Sequence, residues 1–249
     1  MTPSLSISRL RCALIRPLIR PLIRRSISLA NDNSYHSYHY RQLKNKGIGN
    51  GANKTVVRSI GFAPISPKTL SQIVDLDKLM KEDRATVEAI WTSYHEDKVT
   101  SASAMVLNKD EGEAIKTRAK ISPLFIVPVF KSSSLDSFVM LISQYQENGG
   151  FILTYLEEYR RRPDTATPWM SLMLYSDLQD TKDITLLRSD FTANVSKKEN
   201  TAISRMIVDS YLYNDVYGGY VYPFNKKPDK FDFDKYLELF KSKYSSSFT

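Results

Sequence analysis

Three histidines and one cysteine are all that this chain offers to soft-metal or nucleophilic chemistry. His36 and His39 stand three residues apart in Tyr35-His36-Ser37-Tyr38-His39-Tyr40. A metal site needs further His, Cys or carboxylate ligands, and none is near, so the tract reads as solvated. Cys12 sits near the N-terminus, which leaves the rest of the chain without a disulfide, a Cys-based zinc site or a cysteine nucleophile. A Ser-His-Asp arrangement around His95 would need a serine in a tight, glycine-flanked turn, and none stands out. Gly47-Ile48-Gly49-Asn50-Gly51-Ala52 fits the loosest dinucleotide pattern, but no strand precedes it. Ile48 to Thr55 ends in Asn53-Lys54-Thr55 and lacks both phosphate-cradling glycines of a P-loop. The acidic pairs Glu157-Glu158 and Asp232 with Asp234 read as a solvated strand end and a helix N-terminus, where negative charge is favoured. Arg160-Arg161-Arg162-Pro163 reads as a solvated basic loop. These residues predict no catalytic site, no cofactor and no metal, and the chain is not read as an enzyme.

Charge is distributed unevenly. The net charge of the 249 residues is +8, yet Met1 to Val74 carries 12 basic residues against one acid, Asp32. The remainder holds 23 basic and 26 acidic residues. The basicity therefore belongs to the N-terminal part, and the folded part lacks the net positive charge a nucleic-acid partner would need. Met1 to Leu29 contains six arginines and no acid. The repeat Arg16-Pro17-Leu18-Ile19, Arg20-Pro21-Leu22-Ile23, Arg24 alternates arginine with apolar residues, although two prolines oppose a regular helix. Arg-rich, Ser-containing and acid-poor is the composition of an organelle transit peptide, and residues 1–30 are read as a mitochondrial presequence. Residues 31–66 read as a flexible linker, and 67–249 as a single domain. No stretch approaches 18 uncharged apolar residues, so no membrane span is expected.

The domain has periodic segments. Ser66-Pro67 suits a helix start. Val87, Ile90, Trp91 and Tyr94 fall at helical spacing and should share one face, with the helix starting near Glu82. A third helix is expected from Val99 to about Ala119, with a weak point at Gly112. Pro123 to Phe130 suggests an edge strand, because its prolines cannot donate to a ladder. Phe138 to Tyr145 and Phe151 to Leu156 are strand-like, and Asn148-Gly149-Gly150 between them is a hairpin signal. Trp169 to Tyr175 and Ile184 to Leu187 complete a sheet of about five strands. Ser196-Lys197-Lys198-Glu199 is a capping box opening a helix that buries Ala202, Ile203, Met206 and Ile207. Phe233, Tyr236, Leu237 and Phe240 define a last helix. Helices, then a mainly antiparallel sheet, then helices make the fold class α+β.

Several segments in order resemble one family. They are Ile90-Trp91-x-x-Tyr94-His95, Pro123 to Pro128, Gln144-Tyr145-Gln146, Leu153 to Tyr159, Leu174 to Leu178, and Phe224-Asn225-x-x-Pro228-x-x-Phe231. Spanning roughly Pro67 to Phe240, they are similar to the mitochondrial ATP synthase F(1) complex assembly factors, the chaperones that act on the F(1) β subunit. Two segments depart from that pattern. Lys182-Asp183-Ile184 stands where the family often has a glycine before a strand, and an unusual strand is expected over Gly218 to Tyr222. The resemblance implies a matrix chaperone that binds the unassembled β subunit, shields its α-facing surface and leaves when α arrives. An unpaired subunit exposes an apolar interface that would otherwise aggregate, which gives such a role a physical basis. Aromatic residues outside the core would serve as contacts. The candidates are Trp91, Tyr94, Tyr155, Tyr220, Tyr222, Phe224 and Asn225. A matrix enzyme with an unrecognised site stands as the alternative.

Overall fold

The computed structural model describes residues 67–97, 99–130 and 137–248. The presequence, the linker and the glycine and histidine motifs before residue 67 lie outside the described residues. The first element is a 3-10 turn at Leu70–Gln72, where the Thr69 N–H donates to the Gln72 side chain at 2.9 Å. Two helices follow, α1 at Leu76–Leu79 and α2 at Arg84–Asp97. Strand β1, Ala102–Asn108, leads directly into α3, Lys109–Ile121. Then come β2 at Leu124–Phe130, β3 at Phe138–Gln146, β4 at Gly150–Tyr155 and a short α4 at Leu156–Arg161. Strand β5, Pro168–Tyr175, is joined by α5, Gln179–Lys182, to β6, Ile184–Phe191. The C-terminal part contains α6 at Lys197–Leu212, α7 at Asn214–Val216, a π-helical turn at Tyr217–Val221, α8 at Tyr222–Lys226 and α9 at Phe233–Tyr244.

The expected α+β class holds, with one sheet of six strands in the order β1-β6-β5-β4-β3-β2, every neighbouring pair antiparallel. The sixth strand corrects the expected helix over Val99–Ala119. Its first half is β1, and the helix begins only where Asn108 accepts from the Glu111 N–H at 2.8 Å while Glu111 accepts from the Asn108 N–H at 2.9 Å. That reciprocal cap fixes the boundary inside what periodicity alone joins. The expected strand over Gly218–Tyr222 is likewise helical. Pro223 lacks an N–H and its ring crowds the carbonyl four residues back, and the wider π turn ahead of it accommodates both.

Asp183 explains the missing glycine. It closes α5 at φ 58°, ψ 35°, the only positive-φ non-glycine among the described residues, a conformation Asp tolerates better than most. Its carboxylate pairs with Arg84 at 2.9 Å and its carbonyl accepts from the Lys109 N–H at 3.2 Å.

Each face of the sheet has its own core. Alternate residues Leu141, Phe151, Leu153, Met170, Leu172 and Leu187 join Ile203, Met206, Ile207, Tyr211 and Phe240 from the C-terminal helices. On the opposite face, Leu70, Leu79, Val87 and Trp91 pack on Met173, Tyr175, Ile184 and Leu186. Helix α3 approaches β6 closely at Gly112, where an added Cβ would stand 2.7 Å from the Thr185 Cβ and 2.9 Å from its Cγ2. We therefore expect Gly112→Ala to lower stability by about 1–2 kcal/mol. Overpacking of roughly 1–3 kcal/mol outweighs the gain of up to ~1 kcal/mol in helix propensity. Urea unfolding monitored by circular dichroism would check the sign, which propensity alone reverses.

The two sheet edges are finished differently. In β2 the residues paired through hydrogen bonds to β3 are the odd ones, since the Tyr145 N–H donates to Pro123 in the register Leu124↔Gln144. Leu124, Ile126 and Pro128 thus aim their backbone outward. Asn225 meets Leu124 with both ends of its amide, accepting from the N–H at 3.1 Å and donating to the carbonyl at 2.6 Å. The Tyr236 hydroxyl donates to the Ile126 carbonyl, and Pro128 has no N–H to satisfy. Three outward groups of this edge are thus occupied by side chains.

Candidate partner-binding surface

Helix α2 turns one narrow face inward. Val87, Trp91 and His95, at i, i+4 and i+8, are buried. Ile90 and Tyr94, which periodicity assigns to the same face, are 43% and 45% exposed. They form one wall of an open groove of about 300 Å³, whose other wall is Ile73, Val74 and Leu79 and whose floor includes Trp91. Asp75, Lys78 and Glu82 provide its polar lining. The groove exists because the short α1 and the preceding turn do not cover all of α2.

The floor is held rigidly. The Trp91 indole N–H donates to the Leu187 carbonyl at 3.2 Å, and its ring meets Tyr175 edge-on at 6.2 Å. His95 is 1% exposed. Its Nδ1 lies 2.7 Å from the Trp91 carbonyl, which can only accept, so Nδ1 carries the proton. Nε2 is left to accept from the Arg188 guanidinium at 3.1 Å. Arg188, itself buried, also grips Asp190 through Nε at 2.9 Å and Nη2 at 2.6 Å. The Lys197 ammonium donates to the carbonyls of His95, Glu96 and Val99, closing the C-terminal end of α2 where positive charge is favoured.

Burial, followed by the facing Arg188 charge, pushes the His95 imidazole below its ordinary value, against the opposing hydrogen bond to Trp91. A base with a depressed folded pKa is protonated first in the unfolded chain. Its stabilisation is fully present above pH ~6.5, the value for a free histidine, and is lost as pH falls from there through the lower folded value. Unfolding free energy measured between pH 7.5 and 5 should therefore decline, and His95→Gln should flatten that part of the decline. A parallel slope in both proteins would contradict this assignment.

The other sequence candidates lie elsewhere. Phe224 and Asn225 are 3% and 6% exposed, Phe224 packing edge-on against Phe125 and Phe231 at 5.7 and 5.2 Å. Tyr220 and Tyr222 are half-buried beside them, the first 5.8 Å from Tyr236 and the second under the Lys227 ammonium at 5.9 Å. Tyr155 stacks on Trp169 at 5.2 Å with 17° between the rings, at the end of β4. The seven candidates thus occupy three separate places, of which the α2 groove combines exposed apolar side chains with a concave shape. Sequence reasoning missed Ile73, Val74 and Leu79 as its second wall. Their role follows from where the turn and α1 dock, which no local spacing encodes.

Among the described residues no group of three or more His, Cys, Asp or Glu side chains is placed to hold a metal ion, and no helix is long and apolar enough to cross a membrane.

Comparison with known proteins relates the chain to a family model and to a curated relative. Residues 33–237 match the family model described as "ATP11 protein". A curated relative, "Protein atp11, mitochondrial" of Schizosaccharomyces pombe, is 26% identical over 125 residues, which is 49% of this chain and 43% of the relative. The chain thus aligns with less than half the length of that relative.

Proposed function

The chain belongs to the ATP11 family, and from that premise we propose that it is an assembly chaperone for the F(1) head of mitochondrial ATP synthase, working in the matrix. It binds the unassembled β subunit, covers the surface that α will occupy, and is displaced when α arrives. The observation that carries this reading is the family match over residues 33–237, supported by a relative whose name places it in mitochondria. Residues 1–30 serve as the import presequence, 31–66 as a linker and 67–249 as the chaperone domain. The reaction is protein exchange without catalysis or cofactor. A passive cover suffices, because the larger α–β interface outcompetes the chaperone once α is present.

The α2 groove gives this role a surface. Ile90 and Tyr94 offer exposed apolar area over a floor fixed by Trp91, the arrangement expected of an anchor site ringed by polar groups. Tyr155, Tyr220 and Tyr222 are partly accessible at two places away from the groove, while Trp91 forms the groove floor and Phe224 and Asn225 are buried beside Tyr220 and Tyr222. Size-exclusion chromatography of the chain mixed with unassembled β tests the reading. A soluble complex is expected, weakened by Ile90→Asp or Tyr94→Ala. Absence of any complex with the unmodified chain contradicts the proposal.

A further inference from the structure

We infer that β1 is an open sheet edge that receives an extended, uncharged segment of the unassembled subunit by strand addition. The inference rests on the chaperone reading above and names the manner of contact.

The hydrogen-bond pattern fixes which backbone groups are free. The Lys109 N–H donates to Asp183 and the Phe191 N–H donates to Ser101, in the register Ala102↔Asp190 through Asn108↔Ile184. Odd-numbered residues therefore bond to β6, and even-numbered residues direct their N–H and C=O away from the sheet. Asn108 is engaged by its helix cap and Ala102 is fully buried. Ala104 and Val106 remain, both half-buried, and among the described residues no hydrogen bond reaches their outward backbone groups. Two donors and two acceptors thus stand in line at strand spacing.

Proteins usually block such an edge with lysine, proline, a bulge or a covering side chain. The opposite edge, β2, has a proline, the Asn225 amide and the Tyr236 hydroxyl. Strand β1 has no charge, no proline and an unbroken register over seven residues. Among the described residues one edge is thus guarded by side chains and the other is not.

The chemistry selects the occupant. Alternating donors and acceptors are matched only by another extended backbone, and an uncharged strand gives no repulsion to an apolar one. The surface beside the edge points the same way. Ala104 and Val106 pack on the same apolar cluster that Ile73 and Val74 flank, and those two residues line the α2 groove. An added strand would place alternate side chains toward that groove, making edge and groove one continuous site. A segment destined for a subunit interface is apolar and unpaired before assembly, which fits this surface.

Amide hydrogen exchange on the full chain, alone and with unassembled β, tests the inference. In the free chain the Ala104 and Val106 amides should exchange readily while Met105 and Leu107 are protected by β6. On complex formation, exchange at Ala104 and Val106 should slow on the order of 100-fold or more. Ala104→Pro, which removes an outward N–H at an edge where proline is tolerated, should weaken the complex by about tenfold or more. If a soluble complex forms and both amides still exchange freely, the strand-addition inference fails and the chaperone reading stands. If no complex forms, both fail. Protection in the free chain at every concentration would assign the edge to the chain's own N-terminal residues. Protection rising with concentration alongside a doubled mass would assign it to a second copy. Either result overturns the inference.

Discussion

Trp91→Ala is expected to destabilise the chain by about 3–5 kcal/mol, the usual cost of removing a fully buried large aromatic. Trp91 is 1% exposed and spans the space between α2 and the sheet. Its loss removes the indole bond to Leu187, the edge contact to Tyr175 and the ring packed 4.3 Å from His95. The Arg188–His95 pair beneath it would then face a cavity. Denaturant titration should show a lower midpoint at unchanged slope. Tyr94→Ala makes the informative contrast. At 45% exposure it should cost less than about 0.5 kcal/mol in stability while still weakening β binding. A stability loss in Tyr94→Ala as large as that in Trp91→Ala would contradict the division between floor and wall.

Asn225→Ala should cost about 3 kcal/mol, far more than its small side chain suggests. Its amide serves three backbone groups at once, the Leu124 N–H, the Leu124 carbonyl and, at 2.9 Å, the Val221 carbonyl. The residue is 6% exposed, so those groups would lose their partner away from water, at roughly 1–3 kcal/mol for each one left unsatisfied. Asn225→Asp separates donor from acceptor. A carboxylate can still accept from Leu124 but sets a negative charge against two carbonyls. That variant should be at least as unstable as alanine at neutral pH, and acid should protonate it and restore one donor. The alanine variant should also aggregate on refolding, because it reopens the edge that the amide closes. Thermal unfolding followed with light scattering checks both effects.

Where sequence and structure agree, the signal is local. The run Pro123 to Phe130 with its prolines reads as an edge strand and is one, and Asn148-Gly149 reads as a turn, where Gly149 adopts φ 84°. The capping box at Ser196 opens α6 as its residues require. Where they differ, a longer-range contact decides. Ala102 and Val106 are four apart and look helical, but the chain there is the sixth strand because β6 offers it a ladder. Ile90 shares a helical spacing with Trp91, yet only the placement of α1 leaves one buried and the other exposed. Phe224 and Asn225 look like surface recognition residues until Phe125 and Leu124 are brought against them. The orientation of the β1 backbone depends on register alone, which no residue type encodes.

On the proposed function, this chain keeps β soluble and yields it to α. Light scattering during refolding of β tests it most directly, with an equimolar amount of the chain present from the start and α added afterwards. We expect that β alone scatters, that β with the chain stays clear, and that adding α releases the chain as an α–β complex forms. Undiminished scattering of β in the presence of the chain, or a chain–β complex that α cannot displace, would contradict it.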